Sequence, residues 1–248
     1  MGLSNRTLTA IGIRAALLQA TWNYERQQGI GWAYALGPAL KQLYPDRAER
    51  AARLAEHTAY FNTQPTLASV ALGAVARLEE ARALGAETDP GAITRVKSVL
   101  GSSLAALGDR LFWFTLRPFA ACVGIALALL GSPWGALVMW LIYNALHQSV
   151  RLLGVRWGYH AGPAAAAGPL RSRLETIVGV CSRGGALVCG VMMAAWMVPG
   201  GNPSPPAFQM LLAAGLALGL IVAPRVRPSP TEWAMLVGGS ALLVAFRT

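Results

Sequence analysis

The stretch "GDRLFWFTLRPFAACVGIALALLG", Gly108 to Gly131, is where the chain changes character. Up to residue 110 the sequence holds 12 of its 21 Lys and Arg and 9 of its 11 Asp and Glu, with Asp109 the last of these acids. Beyond it only Glu175 and Glu232 remain, and apolar runs take over. The run at 111–131 is about as long as the roughly 20 residues that cross a bilayer, and Arg117 is its one charge. Four more runs follow, at about 134–150, 179–199, 207–223 and 233–246. Several are short for a span and call for tilt, local thinning or packing against a partner.

Composition agrees. The 248 residues are 54% hydrophobic and 13% charged, against about a quarter charged in a soluble domain. The expectation is an all-α integral membrane protein. Its N-terminal half, 1–110, reads as amphipathic or re-entrant helices, and 111–248 as a membrane region with about five apolar segments. "IGIRAALLQATW", "GIGWAYALGPALKQLY" and "PTLASVALGAVARLEEARALG" are apolar with spaced charges, too short and too charged for ordinary spans. Pro38, Pro45 and Pro65 read as breaks in the helical pattern, a helix is expected over 66–84, and "AAAAG" at 164–168 reads as a loop.

The net charge of +10 is explained by topology. The connections "GSP" and "GGNPSPP" carry no charge, while Arg151, Arg156, Arg171, Arg173 and Arg183 follow the second run and Arg225 and Arg227 the fourth. With five spans, the basic connections share one side. The positive-inside rule then puts the N-terminus in the cytoplasm and the C-terminus outside, in the inner membrane. A nucleic-acid partner is not expected, because its binders gather Lys and Arg in one patch. Residues 1–25 show no apolar core with a cleavage site, so no cleavable signal is expected. Cys122, Cys181 and Cys189 form no CxxC pair and read as small buried hydrophobes. No metal-binding, nucleotide or dinucleotide motif is present, and no cofactor is expected.

Five blocks, in order, carry a resemblance: "WNYERQQGIG" at 22–31 followed by P-x-L-x-x-LYP at 38–45, "EHTAYFNTQP" at 56–65, "GAVARLEE" at 73–80, "GDRLFWFTLRP" at 108–118 and "GYHAG" at 158–162. The sequence resembles the IID component of the mannose/fructose/sorbose-class sugar phosphotransferase system. That resemblance implies a subunit of a sugar permease, paired with a IIC membrane subunit and served by cytoplasmic IIA and phosphorylated IIB. The phosphoryl group then arrives on a partner's histidine, so no catalytic residue is expected here. Two departures stand out. "GSSLAAL" precedes Gly108 where the family has a more glycine- and proline-rich loop, and "PAFQMLLAAG" replaces an "LD-x-x-x-P" block. They raise the alternative of a degenerate paralogue acting as a scaffold or regulator.

Sugars are neutral polyols, held by amides, carboxylates and aromatic faces. Asn62 and Gln64 are the leading sugar contacts, with Thr63 beside them. The same residues also suit a cap and turn before the next helix. Asp109 is either a sugar acceptor or the N-cap of the first span. Glu25 is either a sugar or gating residue or an anchor. On one helix, neighbouring Glu25 and Arg26 would point to different partners. Trp22, Tyr24 and Arg26 read as structural or partner contacts, and Arg117 as a cation seeking Asp109 or Glu79. His57 reads as a helix-end residue rather than a sugar contact.

Overall fold

The computed structural model describes residues 2–86, 91–129 and 131–196; the fourth and fifth apolar runs, the end of the third and the C-terminal sidedness fall outside them. Among the described residues the chain is helical: α1 (Asn5–Arg14), α2 (Gly29–Leu43), α3 (Arg47–His57), α4 (Ala68–Ala83), α5 (Ala92–Gly108), α6 (Arg117–Leu129), α7 (Gly135–Ala161) and α8 (Pro169–Trp196). Residues 1–189 form one compact unit.

The helix starts are written in side chains. Ser4 accepts from the Thr7 amide at 3.1 Å and opens α1, and Asp46 accepts from the Glu49 amide at 2.7 Å and opens α3. Ahead of α4 the Gln64 side chain holds the preceding turn, its Oε1 accepting from the amides of Thr66 at 2.8 Å and Leu67 at 2.9 Å. α4 carries only small or apolar side chains from Ala68 to Ala76, Ser69 the one polar residue among them, and is buried throughout that length, which makes it the hub of the unit.

Small residues set how closely α4 meets α7. A Cβ at Gly73 would overlap the Val155 carbonyl, and one at Gly158 the Val70 carbonyl. Ser69 Oγ donates to the Val150 carbonyl at 3.1 Å across the same seam. This is close backbone packing of the kind small residues permit in membrane helices. Gly124 and Gly135 bring α6 and α7 together in the same way.

The structure corrects several expectations. Pro38 does not break α2 but lies inside it. Proline leaves the carbonyl four residues back without its donor, and Arg14 Nη1 supplies one to that Tyr34 carbonyl at 3.3 Å. "GSSLAAL" is no loop. It lies within α5, with Leu100, Leu104 and Leu107 at helical spacing and buried. The run at 111–131 therefore continues a longer rod. A π-helical stretch, Asp109–Leu116, joins α5 to α6, and Ala92–Ala128 is the one helical stretch among the described residues long and apolar enough to cross a membrane. The second run extends to Ala161, so Arg151 and Arg156 sit in α7 rather than in a connection. "AAAAG" begins within a single 3-10 turn, Gly162–Ala166.

Gly158→Ala is expected to lower the Tm in detergent by an amount equivalent to about 1–3 kcal/mol or more, the range for overfilled packing. Gly168→Ala, whose Cβ would meet nothing closer than the Ala164 oxygen at 3.5 Å, is expected to leave it unchanged. A Tm for Gly158→Ala equal to that of the parent would refute the tight α4–α7 seam.

Candidate functional site

The non-helical segment between α3 and α4, residues 58–67, runs as a polar strap along α5. Thr63 Oγ1 donates to the Gly101 carbonyl at 2.8 Å. A Cβ at Gly101 would stand 3.2 Å from the Asn62 carbonyl, and one at Gly108 would press on the Gln64 side chain. Glycines seven apart share one helix face, so α5 offers the strap a flat bed. On the other side the Gln28 side chain grips the strap twice: its Nε2 donates to the Thr63 carbonyl at 2.8 Å and its Oε1 accepts from the Thr63 amide at 3.0 Å. The Gln28 amide also donates to the Phe61 carbonyl at 2.8 Å.

Several residues singled out in the sequence thus meet along one strap. Asn62 is exposed; Thr63 and Gln64 are buried, with side chains engaged inside the protein. Asp109 follows Gly108 directly and is half-buried. It lies inside a continuous helical rod, so it is not an N-cap, because its amide neighbourhood is already helical.

Glu25 and Arg26 lie at the edge of the same region. The segment is not a helix, as expected above, but a tight loop. Asn23 Oδ1 accepts from the amides of Glu25 at 3.1 Å and Arg26 at 2.8 Å, and Gln27 takes φ 51°. Freed from helical geometry, Glu25 and Arg26 face each other at 3.6 Å. Both are exposed, so the pair contributes little stability. Arg26 Nη1 also donates to Thr58 Oγ1 at 3.3 Å. Trp22 and Tyr24 are exposed and meet edge to face at 4.9 Å. Arg117 finds neither Asp109 nor Glu79; it stands over the Trp113 ring at 5.2 Å.

Behind the strap lies a buried polar cluster that the residue patterns did not reveal. Glu79, fully buried on α4, accepts from Tyr44 Oη at 2.6 Å and pairs with His57 Nε2 at 3.0 Å. Trp32 Nε1 faces His57 Nδ1 at 3.4 Å. Indole can only donate, so Nδ1 is the acceptor and the proton of a neutral His57 sits on Nε2, aimed at Glu79. Burial pushes His57 down, against the opposing pull of Glu79. Burial alone would raise Glu79, but the hydrogen bonds from His57 and Tyr44 outweigh it and hold the carboxyl below its usual value. Burial and the adjacent carboxylate push Tyr44 up, which keeps it a donor. Lys97 on α5 donates to the His57 carbonyl at 3.4 Å and lies 5.2 Å over the Trp32 ring, a positive charge in the neighbourhood of the carboxylate. The signal available in sequence was the acid pair in "GAVARLEE": Glu79 and Glu80 follow directly on the small and apolar stretch 68–76 of the same helix, and both are buried. Glu80 accepts from the Leu3 amide and from Tyr159 Oη, both at 2.6 Å, and ties the N-terminus to α7.

The architecture has known counterparts. A cryo-EM structure of the mannose transporter ManYZ with microcin E492 contains a similar chain, with a TM-score of 0.61 and 29% identity over 98% of this chain and 96% of that one. A second solved structure, described as a membrane protein, aligns at a TM-score of 0.69 with 28% identity over 99% and 97% of the two chains. The chain is thus, by class, a helical component of a membrane sugar transporter. The family model for the PTS system mannose/fructose/sorbose family IID component matches residues 2–199. The sorbose-specific EIID component of Klebsiella pneumoniae is 37% identical over 189 residues, 76% of this chain and 69% of that protein. The mannose-specific EIID component of Escherichia coli K12 is 35% identical over 195 residues, 78% and 69%. The fructose permease IID component of Bacillus subtilis is 32% identical over 194, 78% and 70%. The chain belongs to the mannose/fructose/sorbose family of PTS IID components.

Two changes probe the buried cluster. Glu79→Gln is expected to cost about 3 kcal/mol, two hydrogen bonds to a charged acceptor at roughly 1.5 kcal/mol each. His57 takes up its proton near 6.5 in the unfolded chain but only at lower pH when folded. Stability is therefore full above about pH 6.5 and declines as pH falls below it. The Tm should drop between about pH 7 and 5, and His57→Gln should flatten that part of the profile. An unchanged slope in the variant would show that His57 does not titrate this way.

Proposed function

We propose that this chain is the IID membrane subunit of a phosphoenolpyruvate-dependent sugar permease, which imports a hexose-type sugar and phosphorylates it together with a IIC subunit and phosphorylated IIB, itself charged by IIA. The observation that carries the reading is the strap. It is an irregular polar segment at the flank of an apolar helical rod, its backbone held by Gln28 and Arg26 on one side and by the Gln64 side chain at its end, with Thr63 Oγ1 bonded to the Gly101 carbonyl. Irregular backbone of this kind is tolerated in membrane proteins where it lines a cavity.

In this reading Asn62 and Asp109 face the sugar. An amide both donates and accepts, and a carboxylate accepts from a hydroxyl, which suits a neutral polyol. Thr63 and Gln64 hold the strap on α5. Glu25, at the mouth of the neighbouring loop, contacts the sugar on entry. Trp22, Tyr24 and Arg26 present an exposed aromatic and charged edge to a partner subunit, as does Arg117 over Trp113. Residues 1–110 carry the sugar-facing motifs and 111–248 supply the membrane region, with the N-terminus cytoplasmic and the C-terminus outside. The chemistry asked of this chain is binding and orientation. The bond that breaks lies on the partner's phosphohistidine, and the acceptor is a sugar hydroxyl.

The test is sugar uptake and phosphorylation in membranes co-expressing this chain with its IIC and IIB. Asn62→Ala is expected to lower sugar phosphate formation about tenfold, the cost of roughly one hydrogen bond at 1.4 kcal/mol, with the complex intact. An intact complex that forms sugar phosphate at the parental rate would exclude Asn62 from the site. An intact parental complex that moves no hexose would overturn the permease reading.

A further inference from the structure

We propose that the open cleft between α1, α2 and α3 binds the phosphate headgroup of an anionic phospholipid in the cytoplasmic leaflet; the leaflet rests on the topology proposed above. The cleft, of about 340 Å³, is lined by Arg14, Lys41, Arg47 and Arg50, and no carboxylate lines it. Among the described residues none of the four forms an ion pair. Arg14 and Arg50 are instead held by backbone oxygens: Arg14 Nη1 by Tyr34, and Arg50 Nη1 by Tyr44 at 2.9 Å and Pro45 at 3.1 Å. Carbonyls orient a guanidinium without cancelling its charge. Four cations are thus gathered by the fold with nothing negative among them, and a phosphate is the anion that guanidinium forks match best.

The surroundings select the source of that phosphate. Ile13, Leu17 and Leu54 are large apolar side chains left exposed, at 60%, 53% and 38%, on the helices that form the cleft and on the turn that follows α1. A soluble anion would use the cations and leave these residues in water. A diacyl lipid uses both, in the manner of a basic amphipathic helix at an interface. The position also fits. α1 packs on the half of α7 that carries Arg151 and Arg156: Gly12 meets the Leu152 backbone, and Arg156 Nη2 donates to Thr9 Oγ1 at 3.1 Å. The cleft is therefore at the basic end of the unit, which the positive-inside rule turns to the cytoplasm, where anionic lipids concentrate.

The test uses the complex of this chain with its IIC partner, purified in neutral detergent and mixed with phosphatidylglycerol or phosphatidylcholine. Native mass spectrometry counts the lipid retained, and sugar phosphorylation with phospho-IIB is measured on the same sample. The parental complex is expected to retain phosphatidylglycerol in at least about tenfold preference. Lys41→Gln combined with Arg47→Gln, both exposed positions outside the strap, should remove that preference, since each basic contact is worth several-fold in affinity. Arg171→Gln, elsewhere on the same chain, should keep it.

No preference in the parental complex, or a preference untouched by the double variant, overturns the proposal. If sugar is still phosphorylated in that case, the lipid site fails alone and the permease reading stands. Stabilisation by inorganic phosphate without lipid, lost in the double variant, would assign the cleft to a soluble anion instead. Slower phosphoryl transfer from phospho-IIB with lipid retention unchanged would assign it to a protein partner. Either result also overturns the lipid assignment.

Discussion

A carboxylate without water needs fixed partners, and Glu79 is the point on which this unit depends. Moving an ionised acid out of water costs several kcal/mol, and only close, well-directed donors offset it. Glu79 finds them on two elements besides its own: Tyr44 at the end of α2 and His57 at the end of α3. Lys97 reaches the same neighbourhood from α5. One charge on the hub helix thereby fixes the ends of two others. The strap leaves α3 directly after His57, so where Glu79 holds His57 decides where Asn62 and Thr63 begin.

The apolar half of the design is backbone contact rather than bulk. α4 and α7 meet through Gly73, Gly154 and Gly158, so the hub lies flush against a helix that carries the basic end of the unit. Glu80, next to the anchoring acid, binds the N-terminal backbone and Tyr159 on that same helix. Two adjacent carboxylates on one helix cannot face one way, and here each organises a different side: Glu79 the strap, Glu80 the α7 side.

Much of this was legible in the residues. The helix over 66–84, found at Ala68–Ala83, and the turn at 62–64 before it follow from local patterning, whereas the apolar switch near residue 110 falls inside a helical rod that already begins at Ala92. The strap's motif and its neighbours also carried the family. What patterning missed was long-range. Pro38 reads as a break unless it is known that Arg14, twenty-four residues earlier, supplies the missing donor. "GSSLAAL" reads as a loop by comparison with the family, yet its leucines keep helical spacing and α5 continues into the π-helical stretch. Glu25 and Arg26 read as a helical pair pointing apart, because nothing local announces the Asn23 turn that lets them meet. The Glu79 cluster assembles from residues 32, 44, 57 and 79, and no window short enough to show a period contains them.

Hydrogen exchange of the strap in the purified complex tests the central claim most directly. The Phe61 amide donates to the Arg26 carbonyl and the Thr63 amide to Gln28, so both should exchange slowly in the parental chain. With Glu79→Gln, at a pH and temperature where the complex remains folded, both amides should exchange at least about tenfold faster as the strap loses its anchor. Equal rates in the two proteins would show that the strap holds its place without Glu79 and would contradict the buried carboxylate as its organiser.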